Sequence, residues 1–290
     1  MSAISPPFTT YLPDRQSCPL VLASPHSGHD YDADFVNDSR LTLTELRKSE
    51  DAFVDKLFSS APELGIPLIA ANFPRVYVDA NRDAFELDPD MFKGSLPDYV
   101  TVTSPRITSG LGTIAKMAAG NREIYRHKLN FADIRKRIEN THIPYHKQLF
   151  EMVTETRRKF GRCLLIDCHS MPSGAETGGP SHQDLSDFIL GDRFGSTCSE
   201  HIISGFETVL QDLGYSVGRN KPYAGGYTTR HYAHPSGGME SLQIEINRRL
   251  YMDEQQIRPH DGFGALKADL NRVLMTLKET LTATVTKAAE

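Results

Sequence analysis

The chain has 290 residues, 39% of them apolar and 24% charged, with a formal net charge of −5. That is an ordinary soluble globular composition with enough chain to bury a large core, and it lacks the basic excess expected of a protein that binds duplex nucleic acid or a membrane surface. No run approaches the roughly 20 apolar residues of a spanning helix, the N-terminus has no signal-peptide pattern, and the four cysteines (Cys18, Cys163, Cys168, Cys198) are too scattered for a disulfide framework, so a cytoplasmic, reducing setting is expected.

Apolar runs alternate with helical patterns, which predicts an α/β fold. Residues 19–23 read as a buried strand that ends at Ser24-Pro25-His26-Ser27-Gly28. Leu41 to Ser60 reads as one helix, opened by a capping box between Thr42 and Glu45 and striped by Leu46, Phe53, Val54, Leu57 and Phe58. Residues 67–71 and 75–79 read as the next two strands. Residues 83–112 read as a long irregular excursion, and 114–158 as helical with a break near Pro144.

Residues 163–167 form the clearest buried strand and lead into Cys168-His169-Ser170. A second irregular stretch covers 171–185. Residues 192–213 read as a helix stopped by Gly214, 215–217 and 241–246 as strands, and a leucine-striped helix closes the chain. The expected architecture is a single α/β domain over 1–290, with an extended N-terminal segment at 1–18 and a C-terminal helix in 255–290.

Two strands deliver a histidine, His26 and His169, to their C-terminal ends, where open α/β sheets bind ligands. Two imidazoles and one carboxylate suit a catalytic metal that keeps a position for water. Glu50 and Asp51 are the nearest carboxylates, and helical geometry does not choose between them. The plainer reading of each histidine is a core residue with satisfied hydrogen bonds.

Glu245 is the most unusual carboxylate. In Leu242-Gln243-Ile244-Glu245-Ile246-Asn247 the polar residues share one face of a strand. That face is either a solvated edge or a carboxylate aimed into a site, where it can move a proton. Arginines beside turns, Arg82 and Arg230, can bind a substrate carboxylate, although a surface ion pair is the commoner fate of any one arginine. Cys168 beside His169 suggests a cysteine hydrolase, but adjacent strand residues point to opposite faces. The phosphate-loop and dinucleotide fingerprints are absent.

Seven segments, taken in order, are similar to the N-formylglutamate amidohydrolase family: 24–28, 51–55, 78–82, 167–170, 225–232, 242–245 and 250–254. The resemblance runs from about residue 19 to 254. It implies a mixed, largely parallel central sheet flanked by helices, similar to zinc carboxypeptidases, and a metal-dependent hydrolase that cleaves N-formyl-L-glutamate to formate and L-glutamate in histidine breakdown.

Carried over residue by residue, the resemblance implies one Zn²⁺ per chain held by His26, Asp51 and His169, with Asp51 matching the D-x-x-V-D segment better than Glu50. It implies Glu245 as general base and Asn81 with Arg82 as the pair that holds substrate. Arg82 is further expected to act as a catalytic donor, and Tyr227, Arg230 and His231 to help bind a small acyl amino acid. Segments 83–112 and 171–185 are expected to shape the pocket. Residues 83–89 and the Ala52-Phe53 pair depart from the form associated with histidine-pathway members. A deacylase for another N-acyl amino acid on the same centre is therefore the alternative, and a catalytically silent binding protein is the reading from a different class.

Overall fold

The computed structural model describes residues 6–174 and 186–288, with side chains as far as Thr282. Strands β1 (Phe8–Tyr11) and β2 (Leu20–Ser24) open the chain, followed by short helices α1 (Ala33–Asp38), α2 (Leu43–Arg47) and α3 (Val54–Leu57). Then come β3 (Leu68–Ala71), α4 (Pro105–Thr108), and a small hairpin of β4 (Met117–Ala118) and β5 (Arg122–Glu123). Helices α5 (Phe131–Asn140) and α6 (His142–Phe160) lead into β6 (Cys163–Met171) and β7 (Phe188–Gly191). The remaining elements are α7 (Glu200–Asp212), β8 (Val217–Arg219), α8 (Tyr227–Tyr232), β9 (Met239–Asn247) and α9 (Gly262–Ala288).

Seven strands form one sheet in the order β1-β3-β2-β6-β9-β7-β8. The pairs β2–β6, β6–β9 and β7–β8 are parallel, and β7–β9 is antiparallel. This is the mixed, largely parallel sheet flanked by helices that the resemblance implies. The two longest strands, β6 and β9, are buried along almost their whole length. One face of that pair carries Ile166, Cys168, Leu242, Ile244 and Ile246. The other carries Asp167, His169, Gln243, Glu245 and Asn247, and these polar residues are buried too. The solvated-edge reading of Glu245 is thereby excluded.

The chain groups into two compact units. The first comprises Met1–Thr9, Pro25–Ala52 and Ala70–Gln148, and the second Thr10–Ser24, Phe53–Ile69 and Leu149–Glu290. Within the second unit α9 packs on α7 and α3 through its leucine stripe, in which Leu266, Leu270, Leu274, Leu277 and Leu281 are all buried.

Several expectations need correction. The helix expected over 41–60 is two short helices. Thr42 and Glu45 do form the capping box, but α2 ends at Arg47, and Phe53 starts α3 with a left-handed φ of 66°. A phenylalanine with positive φ breaks helical continuity, so Glu50 and Asp51 lie in the break and not on a helix face. Residues 75–79 are a turn and not a strand, because the amides of Tyr77 and Val78 both bond back to Pro74 O.

Residues 114–130 contain the β4–β5 hairpin instead of helix, and α5 and α6 meet at Thr141, with Pro144 tolerated in the first turn of α6. Helix α7 starts at Glu200 and not at 192, and it stops at Gly214 as expected (φ 92°). The strand expected over 215–217 is β8, which begins at Val217. His169 does not follow its strand. β6 runs through it to Met171. Of the irregular stretch expected over 171–185, residues 175–185 lie outside the described residues, as do residues 1–5 of the N-terminal segment.

Candidate active site

His26 lies two residues beyond β2, in a turn that needs a glycine. A Cβ on Gly28 would stand 2.3 Å from Phe73 O, so only glycine lets this loop lie against residues 72–73. The loop bonds to Asn72 through the Asp30 amide, and His26 O accepts from the Asp51 amide at 3.0 Å. The imidazole is held by two carboxylates. Its Nε2 is 2.7 Å from Asp79 Oδ1, and its Nδ1 is 3.4 Å from Asp51 Oδ2.

Asp79 is itself tightly held. Its Oδ1 accepts from the Asn81 amide at 2.8 Å and its Oδ2 from Arg75 at 3.1 Å, with Arg82 Nη2 3.7 Å away. Burial alone would raise the Asp79 carboxyl. The charges of Arg82 and Arg75 and the contact with His26 outweigh that and hold it well below the usual carboxylate range. An ionised Asp79 only accepts, so His26 Nε2 carries the proton. In the neutral ring, Nδ1 then presents a lone pair to the Asp51 carboxylate. Two acceptors facing each other at this distance call for a proton or a metal cation between them.

Asp51 and Glu50 point to different partners. The Glu50 carboxylate accepts from Tyr31 Oη at 3.0 Å and from Arg47 Nε at 3.1 Å. Burial pushes the Glu50 carboxyl up, and the Arg47 and Tyr31 contacts only partly offset this. Asp51, buried to 1% exposure, faces His26, with Arg75 3.8 Å away.

On β6, Asp167 and His169 share a face as residues i and i+2, and Asp167 Oδ2 lies 3.1 Å from His169 Nε2. On β9, His169 pairs with Glu245 and Asp167 with Gln243. Directly paired residues of a ladder project to the same side, so the histidine and the glutamate are neighbours on one face. Gln243 Nε2 donates to Glu245 Oε1 at 2.9 Å.

One ligand atom from each of His26, Asp51 and His169 lies within 4.8 Å of the other two, and all three residues are buried. Two imidazoles and a carboxylate are a donor set for zinc and for related divalent metals. His26 turns its Nε2 to the buried Asp79 in a hydrogen bond, the outer support common around metal-bound histidines, whereas Asp167 places a buried carboxylate 3.1 Å from His169 Nε2 without hydrogen-bonding it. The residues present fit a divalent cation.

The N-formylglutamate amidohydrolase family model matches residues 18–252. The chain belongs to this family. An N-formylglutamate deformylase from Pseudomonas aeruginosa is 31% identical over 250 residues, covering 83% of this chain and 85% of the relative. A second N-formylglutamate deformylase, from Pseudomonas putida, is 28% identical over 82% of this chain and 83% of its own length. The crystal structure of an N-formylglutamate amidohydrolase from Ralstonia eutropha JMP134 superposes with a TM-score of 0.89 at 36% identity, covering 96% of this chain and 99% of that one.

Within this family member the expected residues are distributed as follows. His26, Asp51 and His169 converge, and Glu245 is the ladder partner of His169. Arg82 is almost fully buried, with Nε donating to Leu111 O and Nη1 to Asn81 O, so much of its fork holds the local backbone. The Asn81 amide is tied to Asp79. Arg230 and His231 are exposed on α8, where Tyr227 and His231 stack with ring centroids 4.8 Å apart. Gly225, with φ 119°, allows the turn into α8.

Sequence reasoning missed Asp79, Asp167, Arg75 and Gln243. Asp167 carried a signal, the D-x-H spacing on an apolar strand. Asp79 and Arg75 carried little, because only the turn at 75–79 brings them to His26. Cys168 faces away from His169, its Sγ donates to Ile166 O, and burial together with the Asp167 charge pushes its thiol well above the ordinary value. It is not placed as a nucleophile.

Proposed function

We propose that the protein is a metal-dependent amidohydrolase that cleaves N-formyl-L-glutamate to formate and L-glutamate. The observation that carries this reading is the buried His26, Asp51 and His169 group, with Glu245 paired to His169 on the adjoining strand. The deformylase relatives support the choice of substrate. The reading assigns the reaction to histidine breakdown in the cytoplasm.

His26, Asp51 and His169 hold the metal, with zinc the proposed ion. When bound, such an ion supplies Lewis acidity, polarising the formyl carbonyl and making a water easier to deprotonate. Glu245 takes the proton of the attacking water and returns it to the departing amino nitrogen, so no net proton leaves the site. Its burial keeps bulk water from competing for that proton. Arg82 supports the oxyanion that develops on the formyl oxygen as water adds to the carbon. Arg230, with Asn81, Arg82, Tyr227 and His231, binds the glutamate carboxylates. Asp79 keeps the His26 imidazole oriented, and the Asp167 carboxylate sets the charge beside His169.

The test is metal content by mass spectrometry on purified protein, with formate release measured before and after chelation and after reloading. About one zinc per chain with chelator-sensitive formate release supports the reading. Zinc without formate release from N-formyl-L-glutamate keeps the metallohydrolase and transfers the question to a panel of formyl, acetyl and succinyl amino acids. Metal-independent turnover refutes the metal mechanism.

A further inference from the structure

Gln243 makes two hydrogen bonds of opposite sense. The Gly226 amide donates to its Oε1 at 2.9 Å, and its Nε2 donates to Glu245 Oε1 at 2.9 Å. A backbone N–H can only donate, so the first bond sets the orientation of the side-chain amide and leaves nitrogen toward Glu245. Gln243 and Glu245 lie two residues apart on β9, share a face and are both buried.

Gly226 is the residue from which α8 starts, and α8 carries Tyr227, Arg230 and His231. The preceding loop is tied down elsewhere: Ala224 O accepts from the Arg193 amide at 2.8 Å and Gly225 O from the Arg193 guanidinium at 3.1 Å. One buried amide therefore joins the start of the helix proposed to bind substrate to the carboxylate of the proposed base.

We infer that Gln243 is a positioning residue that couples the placement of Glu245 to that of α8. This rests on the reading of Glu245 as the group that moves the proton. The Gln243 bond holds Glu245 Oε1, assigns the proton to Oε2, and keeps the carboxyl from swinging as it gains and loses charge. The bond to Gly226 sets the height of α8 against the same strand, so substrate carboxylate and attacking water are located from one reference point.

Two substitutions separate the two bonds. Gln243→Glu keeps an oxygen for the Gly226 amide but turns a second carboxylate toward Glu245. It should lower kcat roughly tenfold or more, out of the about 10²–10⁴ that a positioned general base contributes, and leave KM within about twofold. Gln243→Met removes both bonds and should lower kcat and raise KM together. Rates are referred to metal-loaded, folded protein, using metal content and circular dichroism, so that simple loss of fold does not count.

In a Glu245→Gln background, Gln243→Met should cost no further kcat, because the effect passes through Glu245. Unchanged kcat and KM in folded Gln243→Glu and Gln243→Met proteins would overturn the inference. So would an equal kcat loss from Gln243→Met with and without Glu245. Near-normal turnover by Glu245→Gln alone would instead remove the general-base reading, and this inference with it. That result is read from the single variant and is not confused with the others.

Discussion

His169 on β6 and Glu245 on β9 are paired residues of one parallel ladder, in the middle of a seven-stranded sheet. The pairing places a metal-type ligand and a carboxylate on the same buried face of two rigid strands. A site built on strands holds its geometry better than one built on loops, and the demand for close positioning is met by the backbone ladder itself. His26 and Asp51, by contrast, come from turns, and their placement relies on the carboxylate and arginine network around Asp79.

The break between α2 and α3 predicts which acidic residue binds metal. Asp51→Asn should reduce the bound metal to a small fraction of one per chain, measured by mass spectrometry after dialysis. Glu50→Gln should retain it, since the Glu50 carboxylate is engaged by Tyr31 and Arg47. The reverse pattern would assign the ligand to Glu50.

Asp79 and Asp167 are predicted to tune metal affinity without touching the metal. Asp79→Asn and Asp167→Asn should each weaken binding about 10–100-fold in competition with a chromogenic chelator, the range typical of lost outer-shell support. Affinity equal to the unsubstituted protein in both variants would show that the histidines are oriented by other contacts.

Cys168 should be dispensable for chemistry. Its side chain is on the apolar face and its thiol is held protonated by burial. Cys168→Ala should retain formate release within a fewfold, and iodoacetamide should not inactivate the folded enzyme. The expected cost is stability alone, about 1 kcal/mol for a small buried deletion, read from chemical denaturation.

Glu240 predicts an acid-dependent loss of stability. Its Oε1 accepts from the Ser199 amide at 2.8 Å, and its Oε2 pairs with Arg162 at 2.7 Å. Burial alone would raise this carboxyl, but the Ser199 and Arg162 contacts reverse the shift and hold it below its ordinary value of 4.5. A folded-state value below the unfolded one means that the stabilisation is present above about pH 4.5 and fades as pH falls through the lower folded value. Glu240→Gln should cost about 1–3 kcal/mol at pH 7, the scale of a hydrogen bond to a charged group. The gap from the unsubstituted protein should narrow as pH falls below about 4.5 in denaturation followed by circular dichroism. A gap that does not change between pH 7 and pH 3 would contradict this.

What the sequence determined by itself was written in near neighbours. The alternation in Leu242-Gln243-Ile244-Glu245 sets one apolar and one polar face, the run before Asp167 demands a buried strand, and Thr42 with Glu45 caps a helix. Seven short segments in order carried the family, and with it the histidines expected to bind metal and the carboxylate proposed as base. Their chemistry was legible because such residues are uncommon inside apolar strands.

Tertiary structure decided the rest. Whether Glu50 or Asp51 faces His26 depends on the left-handed Phe53, which ends a pattern that otherwise reads as continuous helix. Whether Asp79 reaches His26 depends on a turn at Pro74 where the local preference is for strand. Whether His169 meets Glu245 depends on the register between two strands far apart in the chain. Propensity is set by a few adjacent residues and is legible from them. Register and turn placement are set by which distant apolar surfaces must be buried together, and that balance exists only in the folded chain.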